Sequence, residues 1–216
     1  MSARVPAGAL VALLAAALAG AALAAPAGSE PPRAATPALA SARELLARLR
    51  ASGRAEVELR WSVTGPDGRS VPQRGALALE PPALARLDVP ATGERVTLRA
   101  DGGEWLQPSL RQLVRLSPRH AGAAMRWWRL LAGGDGALER RLGPGRYRLV
   151  VREPGGAAAD SAEVWLDPRG LPSRLVLGSA ADGQEYRLGE WRFARARGVR
   201  GFQLAVPAGY EDVALP

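Results

Sequence analysis

Alternating apolar and polar residues define one long strand near the start of the chain. Between Ala55 and Thr64 the odd positions are apolar, with Trp61 the largest, and the even positions are polar or charged. Successive side chains of a strand point to opposite faces, so this pattern predicts a strand with one buried and one wet face. A Gly-Pro-Asp-Gly turn at 65–68 leads to further strands at 73–80 and 83–89. The three strands predict an antiparallel meander whose apolar face another part of the chain must cover.

The same short period recurs toward the end of the chain. It predicts strands at 94–100, 104–108, 110–116, 146–152, 161–166 and 171–178, one or two within 185–196, and a last one at 202–206. Two segments have a helical period instead: residues 38–51 and residues 120–132. Gly53 follows the first segment and is a natural end for its helix. Roughly ten strands with two helices predict a mainly β, α+β fold with an antiparallel sheet of barrel or half-barrel type.

The first 24 residues have the layout of a secretory signal peptide. Arg4 supplies a positive charge, residues 9–19 form a short apolar core, and Ala22-Leu23-Ala24 is a small-residue cleavage site. The alternative is an uncleaved membrane anchor, which the short core and its interruption by Gly20 disfavour. Residues 25–37 predict a disordered leader, since they are rich in Ala, Pro and Gly. We therefore expect a periplasmic protein with one domain at 38–216.

Composition excludes several kinds of chemistry. The chain has no cysteine, which rules out disulfides, thiol catalysis and lipidation at a cysteine. His120 is the only histidine, which disfavours a catalytic triad and a histidine-rich metal site. The net charge is +8, but no basic run with interleaved aromatic residues marks a nucleic-acid surface. We therefore expect a protein that is not an enzyme and has no cofactor, metal or nucleic-acid partner.

Four motifs follow one another along the chain. They are Gly75-x-Leu77-x-Leu79-x-x-Pro82, then Ala100-Asp101-Gly102 with Trp105 and Pro108, then the short apolar helix at 121–131, and last Phe202-x-Leu204-x-Val206-Pro207-x-Gly209-x-x-x-Val213. In order and spacing they resemble the outer-membrane lipoprotein carrier family, LolA and its receptor relative LolB, over residues 38–213. The family has an arginine immediately before the proline that Pro82 matches. This chain has Pro81 there, and Arg86 lies in the next strand.

The resemblance implies an incomplete antiparallel β-barrel, covered by helices, that encloses an apolar cavity for the acyl chains of lipoproteins. Each buried methylene is worth about 0.8 kcal/mol, so such a cavity binds its cargo without a catalytic residue. An inner-membrane transporter and an outer-membrane receptor are the implied partners of a monomeric carrier. The expected lipid-binding residues are the large apolar ones of the strands and of the second helix: Leu59, Trp61, Leu77, Leu79, Leu98, Trp105, Met125, Trp128 and Leu131.

Three functions stay open at this point. The first is a periplasmic carrier of lipoproteins. The second is a carrier or sensor of another lipophilic molecule, such as a glycolipid or an acylated pathway product. Pro81, at the position of the family's arginine, favours this function. The third is an envelope scaffold or lipid-sensing module whose apolar residues form an ordinary filled core, an equal alternative for each residue of the set.

The signal-peptide interpretation predicts the start of the mature chain. Expressed in a Gram-negative host, the protein should be released with the soluble periplasmic fraction and begin near Ala25, which intact-mass measurement checks. A membrane-retained product that begins at Met1 would show an uncleaved anchor instead.

Overall fold

A thirteen-stranded sheet organises the part of the chain that the structure describes. This computed structural model describes residues 39–64, 68–82, 84–118, 120–121, 138–152, 158–178 and 184–214. Within these residues lie one α-helix, α1 (Arg43–Ser52), and one 3-10 helix (Val199–Phe202). The strands are β1 (Arg54–Thr64), β2 (Ser70–Glu80), β3 (Leu84–Val89), β4 (Glu94–Arg99), β5 (Gly102–Gln107), β6 (Gln112–Leu116), β7 (Leu138–Gly143), β8 (Arg146–Arg152), β9 (Ala158–Leu166), β10 (Pro172–Leu177), β11 (Gln184–Leu188), β12 (Arg192–Ala194) and β13 (Glu211–Ala214).

Strand β1 lies at the centre of the sheet. The order across the sheet is β13-β6-β5-β4-β3-β2-β1-β11-β10-β9-β8-β7, and β12 pairs with the start of β1 beside β11. Strand β13 runs parallel to β6, whereas the other described pairs are antiparallel. The predicted meander of β1, β2 and β3 is confirmed, and it forms the middle of the sheet.

The predicted alternation gives the sheet two different faces. Val57, Leu59 and Trp61 are buried, whereas Glu58 and Arg60 between them are exposed. Directly paired residues of neighbouring strands lie on the same face, so the register extends each face across the sheet. We call the face that carries Trp61 the inner face, and the opposite one the outer face.

Helix α1 packs on the inner face. Its buried residues Leu45, Leu46 and Leu49 belong to the same apolar cluster as the inner face of β1. Gly53 ends the helix in the left-handed conformation, with φ of +92°, and its N–H donates to the carbonyl of Leu49 at 2.7 Å. The described residues contain no helix that is long and apolar enough to cross a membrane.

The start of α1 shows that the sheet is strongly curved. Glu139 of β7 accepts hydrogen bonds from the N–H groups of Ala40 (2.8 Å) and Ser41 (2.9 Å), just before the helix. Strand β7 is five strands away from β1 in the sheet order, about 24 Å in a flat sheet. A ten-residue helix is about 15 Å long, yet this one reaches both strands. The sheet therefore curls around the helix.

Several predicted elements differ from the observed ones. Strand β7 was not predicted, because Leu138–Gly143 is an exposed edge strand without apolar alternation. The predicted strand at 202–206 is wrong: the chain there leaves a 3-10 helix as an irregular segment, and the last strand is Glu211–Ala214. Strand β9 begins at Ala158, inside a predicted loop, and α1 begins at Arg43 rather than at residue 38. The second predicted helix, 120–132, lies outside the described residues except for its first two positions.

Residues 197–210, which we call the C-terminal strap, cross the outer face between β12 and β13. Phe202 is fully buried there, and its carbonyl accepts a hydrogen bond from Arg99 at 3.0 Å. The N–H of Leu204 donates to the Glu104 carboxylate at 2.6 Å. Glu104 and Thr97 are consequently buried although they lie on the outer face. Strands β4 and β5 are therefore covered on both faces.

A buried ion pair fixes the start of the strap. Glu80, only 1% exposed, accepts hydrogen bonds from the Arg54 guanidinium (2.8 Å) and from the N–H groups of Arg197 (2.8 Å) and Gly198 (2.9 Å). Arg54 also donates to Glu56 at 2.6 Å. Charge-assisted bonds of this kind are about twice as strong as neutral ones. One carboxylate thus joins β1, β2 and the strap.

This arrangement predicts a large loss of stability on substitution of Glu80. Glu80→Gln leaves the Arg54 guanidinium buried without this counter-charge, so the free energy of unfolding should fall by about 3 kcal/mol in urea titrations. Glu58→Gln is the matched control, because its ion pair with Arg60 is solvent-exposed, and it should change stability little. Equal effects of the two substitutions would contradict the structural role of Glu80.

Candidate ligand-binding face

The inner face brings together the predicted lipid-binding residues of the strands. Six of the nine are described, and each is buried in one apolar cluster on this face: Leu59, Trp61, Leu77, Leu79, Leu98 and Trp105. The other three, Met125, Trp128 and Leu131, lie outside the described residues. Whether these residues bind a lipid stays a prediction.

The register arranges this surface in continuous apolar rows. One row runs across six neighbouring strands through the directly paired residues Val57, Leu77, Leu87, Val96, Trp105 and Val114. All of them are buried members of the same cluster. Charged side chains do not interrupt this row, so its strands present a hydrocarbon surface to whatever lies against it.

The indole of Trp61 packs closely against a glycine. A Cβ atom at Gly75 would lie 3.2 Å from Cη2 of Trp61 and 2.9 Å from Cδ1 of Leu87. These distances are too short for an ordinary contact, so a larger residue at 75 would displace the ring. Gly75 belongs to the first of the motifs noted in the sequence, and its packing under Trp61 is a physical reason for glycine there.

Buried polar side chains also lie on the inner face, and the sequence analysis missed them. Gln73 and Tyr186 are the direct partners of Trp61 on β2 and β11, and Glu94 shares the face of Val96 on β4. Strand parity could have found Gln73, since it occupies an odd position of β2 with Leu77 and Leu79. The inner face is therefore apolar with a few placed polar groups, which is the usual composition of a small-molecule site.

Glu94 is a titratable group on this largely apolar surface. It is 6% exposed, and the indole Nε1–H of Trp105 donates to it at the long distance of 3.4 Å. No arginine of the described residues forms an ion pair with it. Burial raises the pKa of the Glu94 carboxyl because desolvation disfavours the charged form.

Arg86 and His120 are engaged away from the inner face row. Arg86, the arginine nearest to Pro81 in the following strand, pairs with Asp88 at 2.9 Å and donates to the carbonyl of Gly201 in the strap at 3.3 Å. Its guanidinium thus belongs to the outer face. His120 Nδ1 lies 2.8 Å from the hydroxyl of Ser117, at the start of a helical turn. Within the described residues, no three His, Asp or Glu side chains form a group that could hold a metal ion.

Comparison with known proteins gives likenesses in structure alone, since no family model and no curated protein sequence match this chain. An uncharacterized conserved protein from Thermus thermophilus aligns over 81% of this chain and 99% of its own, with 17% identity and a TM-score of 0.47. A LolA superfamily protein from Nitrosomonas europaea aligns over 76% and 97%, with 12% identity and a TM-score of 0.47.

The Mycobacterium tuberculosis lipoprotein LppX is also among the similar structures. It aligns over 70% of this chain and 93% of its own, with 15% identity and a TM-score of 0.38. At these values the likeness is a general one, and it assigns neither a ligand nor an activity to this chain.

The burial of Glu94 predicts a definite pH dependence. A carboxyl whose pKa is raised in the folded state costs stability as pH rises from its unfolded value, near 4.5, through the folded one. Glu94→Gln removes this cost and retains an acceptor for Trp105. The variant should therefore gain unfolding free energy over the wild type as pH rises to 7, measured by urea unfolding at a series of pH values.

Glu56 offers a control of opposite sign. The hydrogen bond from Arg54 lowers the pKa of the Glu56 carboxyl, so its contribution is present at neutral pH and lost as pH falls. Glu56→Gln should therefore be less stable than the wild type at pH 7, with the difference shrinking in acid. A Glu94→Gln variant that follows the Glu56→Gln curve would show that Glu94 is stabilised as a carboxylate.

Proposed function

We propose that this protein is a periplasmic carrier that binds the acyl chains of lipoproteins on the inner face of its curved sheet and shuttles them toward the outer membrane. The observation that carries the proposal is the uninterrupted apolar row across six strands, which shares the inner face and its apolar cluster with the described members of the predicted set. Such a surface needs no catalytic residue, cofactor or metal. The carrier would act as a monomer, loaded by an inner-membrane transporter and unloaded by an outer-membrane receptor.

The energetics favour cargo with more than one acyl chain. About ten buried methylenes contribute about 8 kcal/mol. Association itself costs about 4–15 kcal/mol by general estimates, so one chain binds weakly and two or three bind well. Release then requires a competing partner or a conformation with lower affinity, because buried hydrocarbon does not leave spontaneously into water.

A second candidate is a carrier of another lipophilic molecule, such as a glycolipid or an acylated pathway product. The observation that favours it is the placement of Arg86 on the outer face together with Pro81 at the position of the arginine of the LolA family. The resemblance implies that this arginine helps to hold a lid closed over the cavity. A chain with Pro81 in its place lacks that contact, and a different cargo is compatible with this change.

Native mass spectrometry of the protein isolated gently from a periplasmic extract distinguishes the candidates. A bound acylated peptide or lipoprotein would support the lipoprotein carrier, and a small lipid of defined mass would support the second candidate. An empty protein that also fails to bind an apolar fluorescent probe would contradict both and leave a filled core.

A charge in the second predicted helix should weaken binding. Trp128→Asp places a carboxylate in the apolar stripe of residues 120–132, so the affinity for an apolar fluorescent probe should fall at least about tenfold, measured by probe titration. Val199→Asp is the control, because Val199 is 50% exposed on the 3-10 helix, and it should bind as the wild type does. Unchanged affinity in a folded Trp128→Asp protein would remove this helix from the binding surface.

A further inference from the structure

Three polar side chains form a row on the inner face. Trp61 of β1 is directly paired with Gln73 of β2 on one side and with Tyr186 of β11 on the other. The three residues are 5%, 5% and 4% exposed. The rings of Trp61 and Tyr186 have their centroids 6.2 Å apart and are tilted by 44°. The row thus places an indole N–H, a phenol hydroxyl and a carboxamide together on an apolar surface.

One of these groups, the Trp61 indole, lacks the hydrogen-bond partner that a buried polar atom normally has. The Nε1–H of Trp61 is buried and has no acceptor within the described part of the chain. Among the described residues, none forms a hydrogen bond with the Tyr186 hydroxyl or the Gln73 carboxamide. Burial raises the pKa of the Tyr186 hydroxyl, which therefore stays protonated and able to donate. A buried donor without an acceptor is rare and costly, so the Trp61 N–H calls for an acceptor from a bound molecule, and the Gln73 carboxamide and the Tyr186 hydroxyl lie beside it to bind the same group.

Another indole in the same protein shows what a satisfied buried tryptophan looks like. Trp191 is 6% exposed, as buried as Trp61, and its Nε1–H donates to the carbonyl of Pro172 at 2.7 Å. Trp105 has its acceptor in Glu94. Ser41 Oγ and Arg174 Nε are the other buried side-chain atoms of the described residues without a partner, and neither belongs to the row of Trp61 on the inner face.

The surroundings of the row define the chemistry of its ligand. Along β1 the row is flanked by Leu59 and Val63, and across the sheet Tyr186 is paired with Leu175 of β10. Tryptophan can only donate, and the hydroxyl and carboxamide can also donate. With apolar neighbours and no counter-charge in the row, a charged headgroup would be desolvated without compensation. A neutral carbonyl oxygen attached to hydrocarbon fits both the donors and their neighbours.

We propose that Trp61, Gln73 and Tyr186 form a hydrogen-bonding anchor that receives the ester or amide carbonyl oxygen of an acyl chain bound on the inner face. This inference rests on the proposed function and specifies its substrate class: acyl esters and amides, in preference to plain hydrocarbon. The anchor also fixes the position of the chain, because its carbonyl group must lie within hydrogen-bond distance of this row.

Two pyrene-labelled probes of equal chain length test the anchor, one a fatty acyl methyl ester and the other an alkane. Titrated by fluorescence, the wild type should bind the ester at least about fivefold more tightly than the alkane. Trp61→Phe keeps an aromatic ring and removes the N–H, so the ratio of the two affinities should fall toward one. Tyr186→Phe removes the second donor and should lower the ratio as well. Circular dichroism confirms that each variant is folded.

Trp191→Phe is the matched control. It removes an equally buried indole N–H whose acceptor lies within the protein, so it should lower thermal stability and leave the ester-to-alkane ratio at the wild-type value.

The outcomes separate this inference from the proposed function. A wild type that binds both probes equally, or folded Trp61→Phe and Tyr186→Phe proteins that keep the full ester preference, would overturn the anchor and leave the carrier intact. Failure of the wild type to bind either probe would overturn the carrier and the anchor together.

Discussion

The buried ion pair of Arg54 and Glu80 is the constraint on which the arrangement of the two faces depends. Arg54 begins β1, Glu80 ends β2, and the same carboxylate binds the backbone at the start of the C-terminal strap. A buried carboxylate with three donors is stable only while all three are in place. The strap is thereby directed across the outer face, where Glu104 receives it. The outer face of β4 and β5 is thus closed by the chain itself.

The curvature of the sheet adds to the difference between the two faces. Because Glu139 of β7 binds the start of α1 while the leucines of α1 pack with β1, one short helix spans the concave side of the sheet. A flat sheet would place those contacts too far apart. In the curled sheet, the apolar residues of the inner face lie on the concave side. Such a surface can shield hydrocarbon from water with few additional residues, which is the physical requirement on any carrier of acyl chains in an aqueous compartment.

The sequence was informative where local periodicity decides the structure. Alternation from Ala55 to Thr64 predicted β1, and Leu77, Leu98 and Trp105, which were predicted to line one cavity, are buried in one apolar cluster. Edge strand β7 was not predicted, because its residues are largely exposed and do not alternate between apolar and polar. Residues 202–206 alternate as a strand would, yet they bind side chains of the outer face instead. The contact of Glu80 with Arg197 spans 117 positions, and no local pattern contains it.

The choice between a carrier and a filled core depends on whether the buried polar groups of the inner face have hydrogen-bond partners within the protein. A core that serves stability alone excludes unpaired donors or supplies their acceptors, as it does for Trp191. Trp61 is equally buried and equally large, yet its indole N–H has no acceptor among the described residues. Burial of the Trp61 ring contributes to stability, but its unpaired N–H does not, so stability alone does not account for the indole at this position. A binding surface does gain from it, since the donors can bind the carbonyl group of an acyl chain. The hydrocarbon part of that chain has no preferred position along the inner face.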